Sequence, residues 1–285
     1  MNKLILLVVF FNFQLLNAQD TVNDILISSS FINYLIDEES YDESLKCIYI
    51  AEKEHKISYD SLQLFEATVY LKMKKLDSAT KRFDKINPNS DLFFASQLNA
   101  IFCQAYMGNH ENVKKRLFRL NPSNKGENEV LSIVNLYSNL LNNNYQKFDE
   151  DFKELEIKTE YLKPYIDYLK TYRNEYGEIK TKSPFLGGLF SAIIPGSGKF
   201  YAGYRKKALS STFGVLPAGA LCTEMLIKNG PKSPHFIVSS AFFLVFYTGN
   251  IVGSFYSVPI YKQEKLDELN KKVYIDIHHI IRRSF

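Results

Sequence analysis

Pro195-Gly196-Ser197-Gly198-Lys199 places two glycines and a lysine together, the residue types that cradle phosphates in nucleotide-binding loops. The spacing excludes that chemistry. The first glycine of such a loop stands five residues before Gly198, where Ile193 is found, and its lysine is followed by Ser or Thr, where Phe200 is found. His278 and His279 are adjacent, so on a helix they point in different directions and make a poor metal pair. The acidic clusters Asp37-Glu38-Glu39 and Asp149-Glu150-Asp151 fall at expected helix ends or turns, where solvated charge is the ordinary explanation. No serine elbow, Cys/His arrangement or zinc spacing is present, so the residues point away from an enzyme, a cofactor or a metal site. Cys47, Cys103 and Cys222 are three in number and lie on apolar faces or in an apolar run, which suits buried thiols better than a disulfide framework.

The elements around these residues divide the chain by charge. Its 285 residues are 46% hydrophobic and 23% charged, the composition of a chain that folds, and the formal net charge is +4. That total hides a split: residues 19–182 carry −4 and residues 183–285 carry +7, with Lys3 supplying the remainder. Such asymmetry removes the simple nucleic-acid reading, in which one basic face covers a domain, and brings a membrane into consideration. Residues 1–18 have signal-peptide grammar: Lys3, an apolar run from Leu4 to Phe11, then Phe13, Leu15, Leu16 and the small Ala18 before the expected cut.

Within the domain 19–182, residues 20–180 repeat with a period near 34. That offset aligns Leu76 with His110, Ala79 with Val113, Phe83 with Leu117, Ile86 with Leu120 and Pro88 with Pro122. An offset of 35 extends the pattern to Tyr41 and Ile48 on one side and to Tyr145, Phe148, Phe152 and Leu155 on the other. Each of about four units reads as two amphipathic helices, as in Leu62, Phe65, Val69, Met73 and then Leu76, Ala79, Phe83, Ile86. Asn87-Pro88-Asn89-Ser90 and Asn121-Pro122-Ser123-Asn124 end units and offer N-caps to the next helix. The period, Ala79, Phe83, Gly108-Asn109 at a turn and the prolines at two unit ends resemble a degenerate tetratricopeptide-repeat array. The resemblance implies a helix-pair solenoid whose concave face, lined by the first helix of each pair, holds a peptide or partner protein. Leu162, Tyr165, Ile166, Leu169, Tyr172 and Tyr176 mark a terminal capping helix.

Residues 233–261 contain no Asp, Glu, Lys or Arg, enough to cross a bilayer, and residues 208–227 form a second apolar run with Glu224 near its end. We expect two spans at about 208–227 and 235–257, with Gly249 and Gly253 as a small-residue pair for close helix packing. The uncharged residues 183–198 reach about 24 Å as a helix, short of a comfortable span; interfacial, re-entrant and short-span placements are all open, and we favour a partly embedded segment. The order Pro195, Gly196, Gly198, Lys199, Phe200, Tyr201, Gly203 resembles the Pro-Gly-x-Gly-x-Phe/Tyr-Tyr-x-Gly signature of small bacterial two-span membrane domains of unknown role, some of them attached to tetratricopeptide repeats. Lys199 stands where that family often has Gln. The motif is expected to be structural, with lipid-headgroup or small-ligand binding as the weaker candidate role. In residues 262–285, Leu266, Leu269, Val273, Ile277, Ile280 and Ile281 make an apolar stripe flanked by Lys and Arg, expected to lie on lipid headgroups.

The sequence thus predicts an all-α chain: a tetratricopeptide-like helix-pair solenoid, a helical transmembrane hairpin (183–261) and a C-terminal amphipathic helix. The expected role is a non-enzymatic scaffold anchored in the bacterial inner membrane. Its repeats would be periplasmic, with an envelope protein or peptide and membrane lipid as partners and no nucleic acid. The alternative gives the membrane domain the activity, handling a lipid or small solute under control of the repeats.

Overall fold

The computed structural model describes residues 28–284, so the expected signal segment lies outside the described residues. Those residues are all-helical: thirteen α-helices and a 3-10 turn, in two compact units. Of the described residues, the first unit holds 28–169 together with 273–284, and the second is Lys170–Lys272.

The first unit is an array of short helices, each packed on its neighbours in sequence: α1 (Ser29–Asp37), α2 (Tyr41–Glu54), α3 (Tyr59–Lys72), α4 (Leu76–Phe83), α5 (Phe93–Tyr106), α6 (His110–Arg119), α7 (Lys125–Leu141) and α8 (Tyr145–Lys153). The second helices of the pairs begin at Tyr41, Leu76, His110 and Tyr145, which reproduces the 34- to 35-residue period. The backbone repeats with it. Glu39, Lys74, Gly108 and Asn143 all have positive φ, between 54° and 75°. After each, an N–H bonds the carbonyl five residues back: Ser40 to Leu35, Lys75 to Tyr70, Asn109 to Gln104 and Asn144 to Asn139, each at 2.9 Å. This left-handed C-terminal closure recovers carbonyls that a helix end otherwise leaves unpaired.

Packing follows the same register. The fourth residue of each second helix is buried, and it grows along the array from Ser44 and Ala79 to Val113 and Phe148, so a position suited to a small side chain accepts an aromatic one by the last pair. Ile32, Ile36, Ile48, Ala51, Leu62 and Val69 form one core cluster, and Ala67, Ala79, Phe83, Ala100 and Cys103 form the next. N-caps at Ser28, Ser58 and Asn124 accept the amides of Phe31, Ser61 and Glu127. At the first Asn-Pro break the caps differ from expectation: α5 starts from Leu92, and Ser90 instead accepts the Leu92 amide at 3.3 Å.

Leu162 and the first half of α9 (Lys163–Glu178) close this unit, with Leu162, Tyr165 and Leu169 buried. The second unit contains the rest of α9, then α10 (Pro184–Ile193), α11 (Ser197–Ala202), α12 (Arg205–Asn229) and most of α13 (Pro234–Ser284). α12 and α13 are long and apolar enough to cross a membrane. They run through Pro217 and Pro259, and α13 continues unbroken where the sequence suggested a separate tail helix.

Candidate functional site

Within the second unit, the Pro195 motif forms the turn of a short helical hairpin. α10 rises for about 15 Å, half the thickness of a bilayer core, and α11 folds back along it. At its return end the Tyr201 carbonyl accepts from Lys182 Nζ at 2.6 Å, and the Tyr201 hydroxyl accepts the Ser183 amide at 3.3 Å. Residues 183–201 therefore start and finish at one end of the unit.

Gly198 and Gly196 are there because backbone meets backbone. A Cβ on Gly198 would lie 1.8 Å from the Gly187 carbonyl oxygen. Gly196 has φ +87°, and a Cβ there would lie 2.4 Å from the Ala208 carbonyl oxygen and from Thr212 Oγ1. Gly203, at φ +123°, lies against the ring of Tyr261. Side chains from α12 and α13 satisfy the groups freed by the helix break. Asn250 accepts the Gly196 amide at 3.2 Å and donates to the Ser191 carbonyl at 3.1 Å. Tyr247 donates to the Ala192 carbonyl at 2.6 Å, and Thr212 to the Pro195 carbonyl at 2.7 Å. Ser191 Oγ donates to Ser254 Oγ at 2.7 Å and accepts the Gly198 amide at 2.9 Å. Lys199 donates to Ser211, and Phe200 is exposed. These bonds pair the Ser191, Ala192 and Pro195 carbonyls and the Gly196 and Gly198 amides at the break.

Gly249 and Gly253 are not where helices approach most closely in this unit. A Cβ on Gly249 would meet nothing within 4 Å, and one on Gly253 would meet the Lys199 side chain at 3.7 Å. The close contacts to α13 come from Gly187, whose Cβ would stand 2.8 Å from Val258 and 3.0 Å from the Ser254 carbonyl oxygen.

The return end of the hairpin is also the end where α12 begins and α13 loses its apolar character. Tyr204 and Tyr261 meet edge to face at 4.9 Å, Tyr204 donates to Glu264 at 2.5 Å, and Lys207 lies 3.8 Å over the Tyr204 ring. Tyrosine, lysine and arginine concentrate here, as at a bilayer interface. Beside them lies a cleft of about 510 Å³ with Lys180, Lys182, Lys262, Lys265 and Lys272 in its wall.

In the first unit, the last turns of α13 fill a face made by α5 and α7, the first helices of two pairs. Val273, Ile277, Ile280 and Ile281 are at most 4% exposed. Tyr274 packs on Tyr106 at 5.1 Å and donates to the Ala105 carbonyl at 3.1 Å, while His278 faces Phe102 at 5.5 Å. Tyr137, fully buried, donates to Asp276 at 3.0 Å. This corrects the expectation that the stripe lies on headgroups, because in these turns the stripe is covered by protein. Its apolar spacing demanded a cover, and α5 and α7 supply one.

Elsewhere in the array, a cavity of about 470 Å³ is lined by Asp84, Gln97, Lys115, Arg116 and Arg119. Arg116 forms a two-pronged pair with Asp84 at 2.7 Å and also donates to Gln97 at 2.9 Å. Burial pushes the Cys103 thiol up to about 12, so it stays protonated. Burial also acts to raise the Glu129 carboxyl, but hydrogen bonds from Thr159 and the Lys158 amide, with Lys125 nearby, outweigh it and hold the group below its usual range. No group of three or more His, Cys, Asp or Glu among the described residues is placed to hold a metal ion.

Sequence reasoning missed Ser191, Thr212, Tyr247, Asn250 and Ser254. The available signal was Asn250, the sole amide side chain in an otherwise uncharged run, since polar groups inside a span mark internal partners. The described residues are all-helical, an array of short packed helices joined to two long apolar helices. No family model matches it, and searches of the curated proteins and of the solved structures likewise find no match.

Proposed function

We propose that this chain is a non-enzymatic, membrane-anchored scaffold of the bacterial envelope, exported by its N-terminal segment, with tetratricopeptide-like repeats that hold an envelope protein. The observation that carries the membrane part is the inverted polarity of the second unit. Its long helices turn large apolar side chains outward, with Phe213, Ile227 and Val245 at least 70% exposed, while Ser191, Asn250 and Ser254 are at most 4% exposed. The apolar windows of α12 and α13 are only 6% and 11% buried, unlike the core helix of a soluble protein. A bilayer satisfies this pattern and water does not.

The chain's own C-terminal turns occupy the face of α5 and α7, so the partner surface lies on the rest of the array. The Arg116 cavity, rimmed by Lys115 and Arg119, suits an acidic segment. Crosslinking in intact cells should recover defined proteins, with yield reduced by Lys115→Glu with Arg119→Glu. Recovery of none would overturn the scaffold reading, and release of the chain by carbonate washing would overturn the anchor.

A further inference from the structure

We propose that the lysine-walled cleft of the second unit is a binding site for a phosphate-bearing anion, either a phospholipid headgroup or a free phosphate. The cleft holds about 510 Å³, room for a headgroup-sized ligand. Its wall carries Lys180, Lys182, Lys262, Lys265 and Lys272 against Glu175, Glu178 and Glu268. Two of the charges are spent internally: Lys272 pairs with Glu175 at 3.1 Å and Lys265 with Glu268 at 2.8 Å. Two others are held by neutral groups, Lys182 by the Tyr201 carbonyl at 2.6 Å and Lys262 by the Thr181 hydroxyl at 3.0 Å. With Lys180 they leave three cations against the single carboxylate of Glu178, an excess of two positive charges that an anion of charge −1 would halve and one of −2 would neutralise. The hydrogen bonds to Tyr201 and Thr181 hold two of these ammonium groups at the cleft in advance, which lowers the ordering cost of binding.

The floor is apolar, formed in part by Val258, Tyr261 and Leu269, and it adjoins the tyrosines of the hairpin's return end. A polar wall above an apolar floor, where outward-facing apolar helices stop, is the arrangement in which a headgroup meets lysines while its acyl chains follow the exposed helix faces. The lipid source rests on the membrane reading; the phosphate chemistry does not.

The test uses the full chain in nanodiscs of phosphatidylcholine, alone or mixed with phosphatidylglycerol. Incorporation into the discs reads the membrane anchor separately. Native mass spectrometry then scores retained phosphatidylglycerol. In a second arm, inorganic phosphate is titrated in pure phosphatidylcholine while the lysines are followed by NMR of their dimethylated amines. A lysine near an anionic surface contributes about a fivefold gain, so Lys180→Gln with Lys262→Gln should weaken binding about 30-fold. Arginine at both positions should restore it, which separates charge from folding, and Lys228→Gln with Lys232→Gln at the far end should change nothing. Loss in the lipid arm assigns the site to a headgroup, and loss in the phosphate arm alone assigns it to a soluble phosphate. Binding that is absent in both arms, or equal in the Gln and wild-type chains, overturns the proposal. A chain that stays outside the discs refutes the anchor, while its phosphate arm still decides the cleft.

Discussion

Ile277→Ala separates the two ways of covering the C-terminal stripe. Ile277 is 2% exposed, beside Val273 and Ile280, which are fully buried. Truncating a buried isoleucine to alanine costs about 2–5 kcal/mol, the range depending on how far the cavity relaxes. At about 1.4 kcal/mol per decade, the local opening equilibrium of this part of the array should rise about 30- to 4,000-fold. Hydrogen exchange of the full chain in nanodiscs reads this directly, because where reclosing outruns exchange the rate follows the opening constant. The slow amides of α5 and α7 should exchange faster by that factor. Tyr137→Phe, which takes the hydroxyl away from the buried Asp276 carboxylate, should accelerate the same amides through a loss of about 1–3 kcal/mol. If both variants leave α5 and α7 unchanged and instead loosen the tail's lipid association, the stripe belongs to the bilayer and the packing argument fails.

Gly198→Ala should destabilise the second unit by roughly 1–3 kcal/mol or more, since its Cβ would meet the Gly187 carbonyl oxygen at 1.8 Å, whereas Gly249→Ala, with nothing within 4 Å, should leave it unchanged or raise it. Thermal melting in detergent checks the pair, and a large loss at Gly249 would reveal a helix partner outside the chain. Cys103 should resist maleimide at pH 8 in the folded chain, because its thiol is buried and titrates near 12; labelling as fast as in denaturant would refute that. Glu129, held low in the fold, contributes stability that is complete above its ordinary value of 4.5 and is lost as pH falls through the lowered one. Glu129→Gln should flatten that acid limb of array stability, measured by denaturant titration across acidic pH, and an unchanged limb counts against the assignment.

The period of the array was legible because each second helix needs the same buried positions. Tyr41, Leu76, His110 and Tyr145 therefore mark one place in four successive pairs, and all four begin helices. The left-handed backbone of the turns before them was mostly not legible. Only Gly108 announces a left-handed residue, while Glu39, Lys74 and Asn143 adopt the same backbone without a glycine, held there by the closing hydrogen bonds. An apolar stripe says that something must cover it and leaves the cover unspecified, which is why Val273, Ile277 and Ile280 read equally well as lipid-facing and array-facing. Gly249 and Gly253 have the spacing of a packing pair, yet the close approaches fall at Gly187 and Gly198, where the broken helix doubles back. Periodicity within one helix carries no record of the second backbone that such a glycine admits.

On the proposed membrane reading, orientation rests on two sequence signals that disagree, and the second unit sharpens their conflict. Lys182 meets Tyr201, Tyr204 meets Glu264 and Glu175 meets Lys272, so the chain enters and leaves this unit at one end. Around that end stand Lys180, Lys182, Arg205, Lys206, Lys207, Lys262 and Lys265, against Lys228 in the last turn of α12 and Lys232 in the connection to α13. Counting positive charge alone would put the rich end in the cytoplasm. The bias governs short loops, however, and long exported segments cross largely regardless of it. Here the flank before the first long helix is the whole of residues 19–204, behind an expected signal, so export should prevail and carry the lysine-rich end outward. Alkaline phosphatase fused at Phe285 should then be active, and a fluorescent protein placed between Gly230 and Ser233 should fold and glow in the cytoplasm. Activity reversed at both sites would mean that the charge bias wins, that residues 1–18 do not direct export, and that the cleft faces the inner leaflet. An active Phe285 fusion with a dark loop fusion would break the two-span reading itself.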